Sequence, residues 1–212
     1  SYNILTLETD TLDQIWVGSY FGGIDIIDLF SKKKIYNYNE TNSKLPSNVV
    51  WNIKRDQFGD IWCSTLRGLA RYNYQTDNFD VYNINNTSWK SENIRCVLRV
   101  DKNTILIGSS KGLISYNLLT KQSKIYQHLK SDNTTINHDF ILNIIKDKNG
   151  KIWIGTYGGG LALFDIKNGT FKNWTTADGL CNNFICTILE GNDGNLWLTT
   201  SDGLSCFNPV NK

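Results

Sequence analysis

Three observations predict an all-β fold of repeated four-stranded sheets for this 212-residue chain. First, one slot recurs at a near-constant interval, occupied by Trp16, Trp62, Leu106, Trp153 and Trp197 at spacings of 46, 44, 47 and 44 residues. Second, a turn precedes each slot and a glycine corner follows it, as in Asp147-Lys148-Asn149-Gly150 before Trp153 and Gly158-Gly159-Gly160 after it. Third, the intervening segments alternate polar and apolar residues in runs of five or six, the period of a half-buried strand. A repeat of about 45 residues is that of propeller blades. The reading is a β-propeller-type array of about five four-stranded blades, the last incomplete, at 1–45, 46–90, 91–137, 138–181 and 182–212.

In order, the first repeat reads as strands Ile4–Thr9, Gln14–Gly18, Gly23–Asp28 and Lys33–Tyr38. The second reads as Val49–Arg55, Asp60–Ser64, Gly68–Asn73 and Asn78–Tyr82. The third reads as Ile94–Val100, Thr104–Gly108, Gly112–Asn117 and Lys124–His128, and the fourth as Ile141–Lys146, Lys151–Gly155, Gly160–Asp165 and Thr170–Thr175. The fifth has Ile185–Glu190, Asn195–Thr199 and Gly203–Phe207, and lacks an outer strand. Turns such as Asp56-Gln57-Phe58-Gly59 and Asn192-Asp193-Gly194 pair an Asx cap with a glycine at positive φ. The first and third repeats lack that glycine, so their turns at Asp10–Asp13 and Asp101–Asn103 are expected to be strained or differently shaped. The tryptophans are read as wedges between adjacent sheets, because four strands alone cannot bury both faces. Each outer strand ends on a ring three residues after an apolar residue: Ile35 and Tyr38, Phe79 and Tyr82, Phe171 and Trp174. His128 is expected in the ring slot of the third repeat, after Ile125.

Composition narrows the function. Twenty-two basic against twenty acidic residues leave a net charge of +2, too balanced for nucleic acid or an anionic membrane surface. No apolar run is long enough to span a bilayer. The absence of methionine suggests a piece of a longer protein. Five cysteines without a C-x-x-C pair or a neighbouring histidine read as buried free thiols, so no metal and no cofactor is expected. Two histidines, no P-loop and no dinucleotide fingerprint leave no recognisable catalytic set.

The repeats resemble a known family. Leu45-Pro46-Ser47-Asn48-Val49-Val50, then Asp56-x-x-Gly59-Asp60-Ile61-Trp62, then Gly68-Leu69-x-x-Tyr72-Asn73 is similar to the two-component regulator propeller repeat, and Asp178 to Ile185 with Trp197 and Gly203-Leu204 is similar again. The resemblance implies the periplasmic sensor region of a hybrid two-component protein tuned to oligosaccharides. It further implies two seven-bladed propellers, a β-sandwich, an inner-membrane helix and a cytoplasmic histidine kinase in the parent protein.

The candidate surface is the face where the fourth-to-first and second-to-third connections emerge, through Asn39–Asn48, Asn83–Asn93, Lys130–Asp139 and Thr176–Asn183. Residues that vary there while the core repeats point to binding. Rings stack on sugar C–H faces, and Arg, Lys and Asn hold hydroxyls or an acidic group. The candidate ligand residues are Tyr20, Phe21, Arg67, Lys111 and Tyr157, followed by Trp89 and Arg95. Trp89 equally suits the apolar slot that Leu45, Ile136 and Leu180 fill before the first strand. An alternative is a protein-binding or self-associating scaffold, using open strand edges at either end or the remaining blades. A propeller glycosidase or lyase is the third reading, disfavoured because the five arginines sit in two repeats.

Overall fold

The computed structural model describes residues 3–82 and 93–210. Among these, the first repeat forms β1 (Ile4–Thr9), β2 (Gln14–Ser19), β3 (Ile24–Asp28) and β4 (Lys34–Tyr38), and the second β5 (Val50–Arg55), β6 (Ile61–Thr65), β7 (Gly68–Asn73) and β8 (Asn78–Tyr82). The third contributes β9 (Ile94–Arg99), β10 (Thr104–Ser109), β11 (Gly112–Asn117) and β12 (Ser123–Tyr126). The fourth forms β13 (Ile141–Lys146), β14 (Ile152–Thr156), β15 (Leu161–Asp165) and β16 (Thr170–Trp174), and the fifth β17 (Ile185–Glu190), β18 (Leu196–Thr200) and β19 (Gly203–Phe207). The sheets run β1-β2-β3-β4, β5-β6-β7-β8, β12-β11-β10-β9, β13-β14-β15-β16 and β17-β18-β19. These are the blades of a β-propeller, all-β as the periodicity requires, with strand ends within two residues of expectation. One 3₁₀ turn, Thr176–Asp178, was not foreseen; Thr175 caps it in a box with Asp178.

The chain divides into two compact units, 1–102 and 103–212. In the first unit, β1 and β2 pack on β5, so the first strand of one sheet faces the next sheet. The core between them holds Trp16, Ile24, Ile26, Tyr38, Val50, Ile53, Ile61, Cys63 and Phe79, with Tyr72 and Val81 against it. In the second unit, β13 and β14 pack on β17 around Trp153, Leu161, Trp174, Ile185, Ile188, Leu196 and Leu198. Trp16, Trp62 and Trp153 are each 1% exposed, the wedges the spacing predicts.

The turn aspartates do more than cap. Asp147 Oδ1 accepts the backbone N–H groups of Asn149 (2.9 Å) and Lys151 (2.8 Å), while Oδ2 accepts the Trp153 indole N–H at 2.8 Å. Asp10 does the same for Leu12, Gln14 and Trp16, and Asp56 for Phe58, Asp60 and Trp62. One carboxylate thus closes the turn and orients the wedge. The third repeat has Leu106 in the slot, and Arg99 answers instead. Its buried guanidinium donates to the Asp101 and Lys102 carbonyls and pairs with Asp56 (3.2 Å) and Asp60 (3.1 Å). In the first repeat Asp13, at φ 56°, occupies the position of Gly59 and Gly150, which is the strain expected there.

The glycine corners are required where β3 and β15 begin. A Cβ on Gly23 would stand 2.2 Å from the Tyr38 carbonyl oxygen, and one on Gly160 2.0 Å from that of Trp174. Each corner therefore lies directly on the end of its own outer strand.

Three expectations are corrected. His128 is not the ring of the third repeat: Leu113 pairs with Tyr126, as Leu69 pairs with Tyr82 and Leu161 with Trp174. The hairpin sets that register, because Tyr116 meets Ser123 across the same seven-residue step that links Tyr72 to Phe79 and Phe164 to Phe171. Tyr126 packs on Phe164 and Phe171, while His128 Nδ1 lies 2.8 Å from the Ile136 carbonyl. The cysteines are not uniformly buried: Cys63 and Cys96 are, but Cys181, Cys186 and Cys206 are exposed. Trp197 is 39% exposed rather than wedged. Cys186, Trp197 and Cys206 belong to the fifth repeat and Cys181 immediately precedes it; among the described residues no further sheet packs on β17, β18 and β19.

Replacing Asp147 by Ala strands a buried indole N–H and two turn donors, and is expected to destabilise the second unit by about 1–3 kcal/mol. Urea denaturation followed by tryptophan fluorescence measures this, and a change below about 0.5 kcal/mol contradicts the hub role. In the first unit, the Tyr38 and Tyr72 hydroxyls converge on Asp77 and hold its carboxyl below the ordinary value of 3.8. A depressed carboxyl stabilises the fold above its unfolded pKa and loses that contribution as pH falls through the folded one. Asp77→Asn should therefore flatten the acid limb of the stability curve below pH 3.8 and leave the neutral range parallel to wild type. An unchanged acid limb rules the contribution out.

Candidate functional site

In the first unit the site grows from a repeated irregularity of the first strand. β5 pairs Val50 with Thr65 and then Asn52 with Ser64, so Trp51 is an extra residue, a β-bulge. The same bulge falls on Leu5 of β1, Leu142 of β13 and Cys186 of β17. Bulges re-aim a side chain out of the ladder. The residue before the bulge is apolar throughout, buried at Val50, Ile141 and Ile185 and exposed at Ile4, while the bulged position itself holds Leu, Trp or Cys.

Tyr20 and Phe21 come to Trp51 from the corner between β2 and β3. Tyr20 lies 4.3 Å from Phe21 and 5.7 Å from Trp51, centroid to centroid, and its backbone N–H donates to the Asn3 carbonyl at 2.8 Å. Arg95 of β9, one residue after Ile94, sets its guanidinium carbon 3.9 Å from the Trp51 ring centroid. Among the described residues the buried Trp51 indole N–H has no hydrogen-bond partner, an orphan donor on a ring that Tyr20 and Arg95 contact. Such a donor costs about 1–3 kcal/mol when left unmade.

Phe21 is held at φ 74° while 60% of it is exposed. A bulky side chain in the left-handed region is a true outlier, and the corresponding residue of the fourth repeat is Gly158, at φ 107°. An exposed ring kept where glycine would relieve strain is placed for something other than packing.

Three of the seven expected ligand residues, Tyr20, Phe21 and Arg95, are thus brought together, around a residue the periodicity did not single out. Trp51 was legible only as the variable member of an otherwise apolar start to the strand. Arg67 lies apart from this group. Its guanidinium pairs with Glu40 and donates to the Pro46 carbonyl at 3.3 Å, stitching its corner to the loop before β5. Lys111 and Tyr157 belong to the second unit. Lys111 is exposed, and its carbonyl accepts from Gln127 Nε2 at 3.0 Å. Tyr157, 49% exposed, stacks on Phe140 (5.4 Å) and meets Phe184 edge-on (4.6 Å), a second aromatic group of similar construction. Trp89 lies outside the described residues.

The blades and their corners define a repeat propeller. Residues 44–67, 135–158 and 179–202 match the sequence profile of the two component regulator propeller family. It is 27% identical over 192 residues to the histidine kinase P4 of Formosa agariphila, covering 87% of this chain and 14% of the kinase. Among solved structures it is similar to the extracellular domain of a putative hybrid two component system from B. thetaiotaomicron, at 26% identity and a TM-score of 0.78, over 99% of this chain and 27% of that one. The extracellular domain of a putative one component system from the same organism matches at 23% identity and a TM-score of 0.81, over 96% and 27% of the respective chains. Virginiamycin B lyase of Staphylococcus aureus shares the fold at 12% identity, with a TM-score of 0.70, over 99% and 71%. The chain is therefore a propeller domain resembling extracellular sensor domains of two-component systems, and it spans 14% to 27% of the length of these signalling proteins. Among the described residues no helix is long and apolar enough to cross a membrane.

Phe21→Gly is expected to raise thermal stability by up to about 1 kcal/mol, relief of the left-handed strain outweighing glycine's added chain entropy. Differential scanning calorimetry checks this. A loss of stability would mean that the ring is held for packing.

Proposed function

We propose that this chain is a ligand-sensing part of a periplasmic sensor, and that it recognises an oligosaccharide at Tyr20, Phe21, Trp51 and Arg95. The observation that carries the reading is the exposed Phe21 held at φ 74° against Tyr20, which packs in turn on the Trp51 ring beneath Arg95. Rings of this kind stack on the C–H faces of a sugar, and the guanidinium supplies fixed donors. The resemblance to extracellular sensor domains supports a position outside the cytoplasm and a parent anchored in the inner membrane. The ligand would act by its differential affinity for two arrangements of paired sensor chains, with no bond made or broken.

Screening the chain against a glycan library, followed by calorimetry on any hit, tests the reading. Trp51→Ala should weaken binding about tenfold or more, as loss of a buried aromatic anchor does, with the fold retained by circular dichroism. Binding that survives both Trp51→Ala and Phe21→Gly places the ligand elsewhere. Release of reducing ends from a bound glycan would replace sensing by hydrolysis.

A further inference from the structure

The second unit carries an aromatic group that the sugar site does not use. Tyr157 opens the corner between β14 and β15, where the first repeat places Tyr20. Its backbone N–H donates to the Phe140 carbonyl at 2.9 Å, as that of Tyr20 does to Asn3. Phe140 stacks on the Tyr157 ring at 5.4 Å and 20°, and Phe184 meets it edge-on at 4.6 Å and 69°. These two supports immediately precede the first strands of adjacent sheets, β13 and β17, and Tyr157 forms a β-bridge with Phe184. The ring is thus held from both sheets, yet 49% of the residue stays exposed.

Beside the ring the surface is bare backbone. Gly158 and Gly160 donate their N–H groups to the Asn183 carbonyl (3.1 and 2.9 Å), and Gly159 donates to Thr156 Oγ1 (2.9 Å), so every N–H of the corner is satisfied. A Cβ on Gly159 would lie 2.7 Å from His138 Cβ, so no side chain fits between the corner and the loop before β13. At Gly158, φ 107°, a Cβ would meet His138 only through Cδ2 at 3.7 Å and Nε2 at 4.0 Å, which puts the imidazole edge beside the open glycine. His138 Nδ1 accepts the Phe140 N–H at 3.0 Å, so the ring hydrogen resides on Nε2. Neither Nε2 nor the Tyr157 hydroxyl is hydrogen-bonded among the described residues.

We propose that this corner is a second carbohydrate site, which takes one neutral sugar ring against Tyr157 and hydrogen-bonds its hydroxyls through His138 Nε2 and the Tyr157 hydroxyl. An aromatic ring held rigid, with donors at its rim, matches a pyranose, whose C–H faces are apolar and whose edge is ringed by hydroxyls. Glycine at 158 lets the sugar approach the backbone closely. Arg95 lies over Trp51 in the first unit, whereas no Lys or Arg lies over Tyr157 among the described residues, so the site suits a ring without an acidic group. A protein partner fits poorly: one exposed ring and two donors fall far short of the about 800 Å² per side that a protein interface buries. The proposal rests on the sugar reading above for its ligand class, and stands on different residues in the other unit.

The test is saturation-transfer NMR and calorimetry of the whole chain with methyl β-glucoside, methyl β-galactoside, maltose and cellobiose. The Trp51→Ala chain, with the site at Trp51 removed, should still bind at least one of them, and adding Tyr157→Ser should weaken that binding about tenfold or more. Serine stands at the same corner in two other repeats, as Ser110 and Ser201, so the blade accommodates it. Circular dichroism separates loss of the site from loss of the fold. Tyr157→Phe, which keeps the ring and removes the hydroxyl, should give a smaller loss and decides the matter if the serine variant unfolds. A folded Trp51→Ala chain that binds none of the four sugars overturns the second site, whatever becomes of the first. Binding indifferent to the Tyr157 substitutions overturns it too. Binding lost with Tyr157→Ser alone and untouched by Trp51→Ala leaves the second site standing and removes the first.

Discussion

The bond between a buried turn carboxylate and an indole N–H is what the blades depend on. In three repeats one Asp accepts two backbone donors of its own turn and the N–H of the tryptophan six residues later. Burying an indole gains a large apolar contact but leaves a donor to satisfy, and burying a carboxylate demands donors. Each group removes the other's penalty, so turn shape and wedge orientation are set together. Where Leu106 fills the slot, no donor needs an acceptor, and the turn carbonyls are held by Arg99. Where Gly191 replaces the aspartate, Trp197 is also left part-exposed.

With the wedges fixed this way, each blade has a few positions that packing does not determine. The bulge on the first strand and the corner between the second and third are the clearest. Both project side chains away from the ladder without altering the buried residues beside them. In the first unit the liberated positions hold Trp51, Tyr20 and Phe21, with Arg95 laid over the indole. Their strain and unmet hydrogen-bonding capacity are tolerated because the surrounding sheets over-determine the backbone.

The uncovered surfaces carry a different message. A four-stranded sheet has two faces to bury, and the fifth repeat buries one. Leu189 and Leu204 are 66% and 59% exposed, and the three exposed cysteines accompany them. On the first sheet, Ile4 and Leu7 are 63% and 62% exposed.

The sequence by itself determined the architecture, because the signals that specify a blade are local. Alternation of period two, an Asx–Gly turn and an indole at a fixed offset all lie within one repeat, and together they placed every described strand to within two residues. It also picked out Tyr20, Phe21 and Arg95 as positions where the repeat departs from its own pattern. Tertiary structure alone decided which of these meet. Whether Arg67 faces a ligand or Glu40, whether Tyr126 or His128 fills the ring slot, and whether a cysteine is sheltered depend on neighbours tens of residues away. Trp51 became visible only once the bulge showed its side chain leaving the sheet. Hairpin length and the presence or absence of an adjoining sheet settle such matters, and a linear pattern records neither.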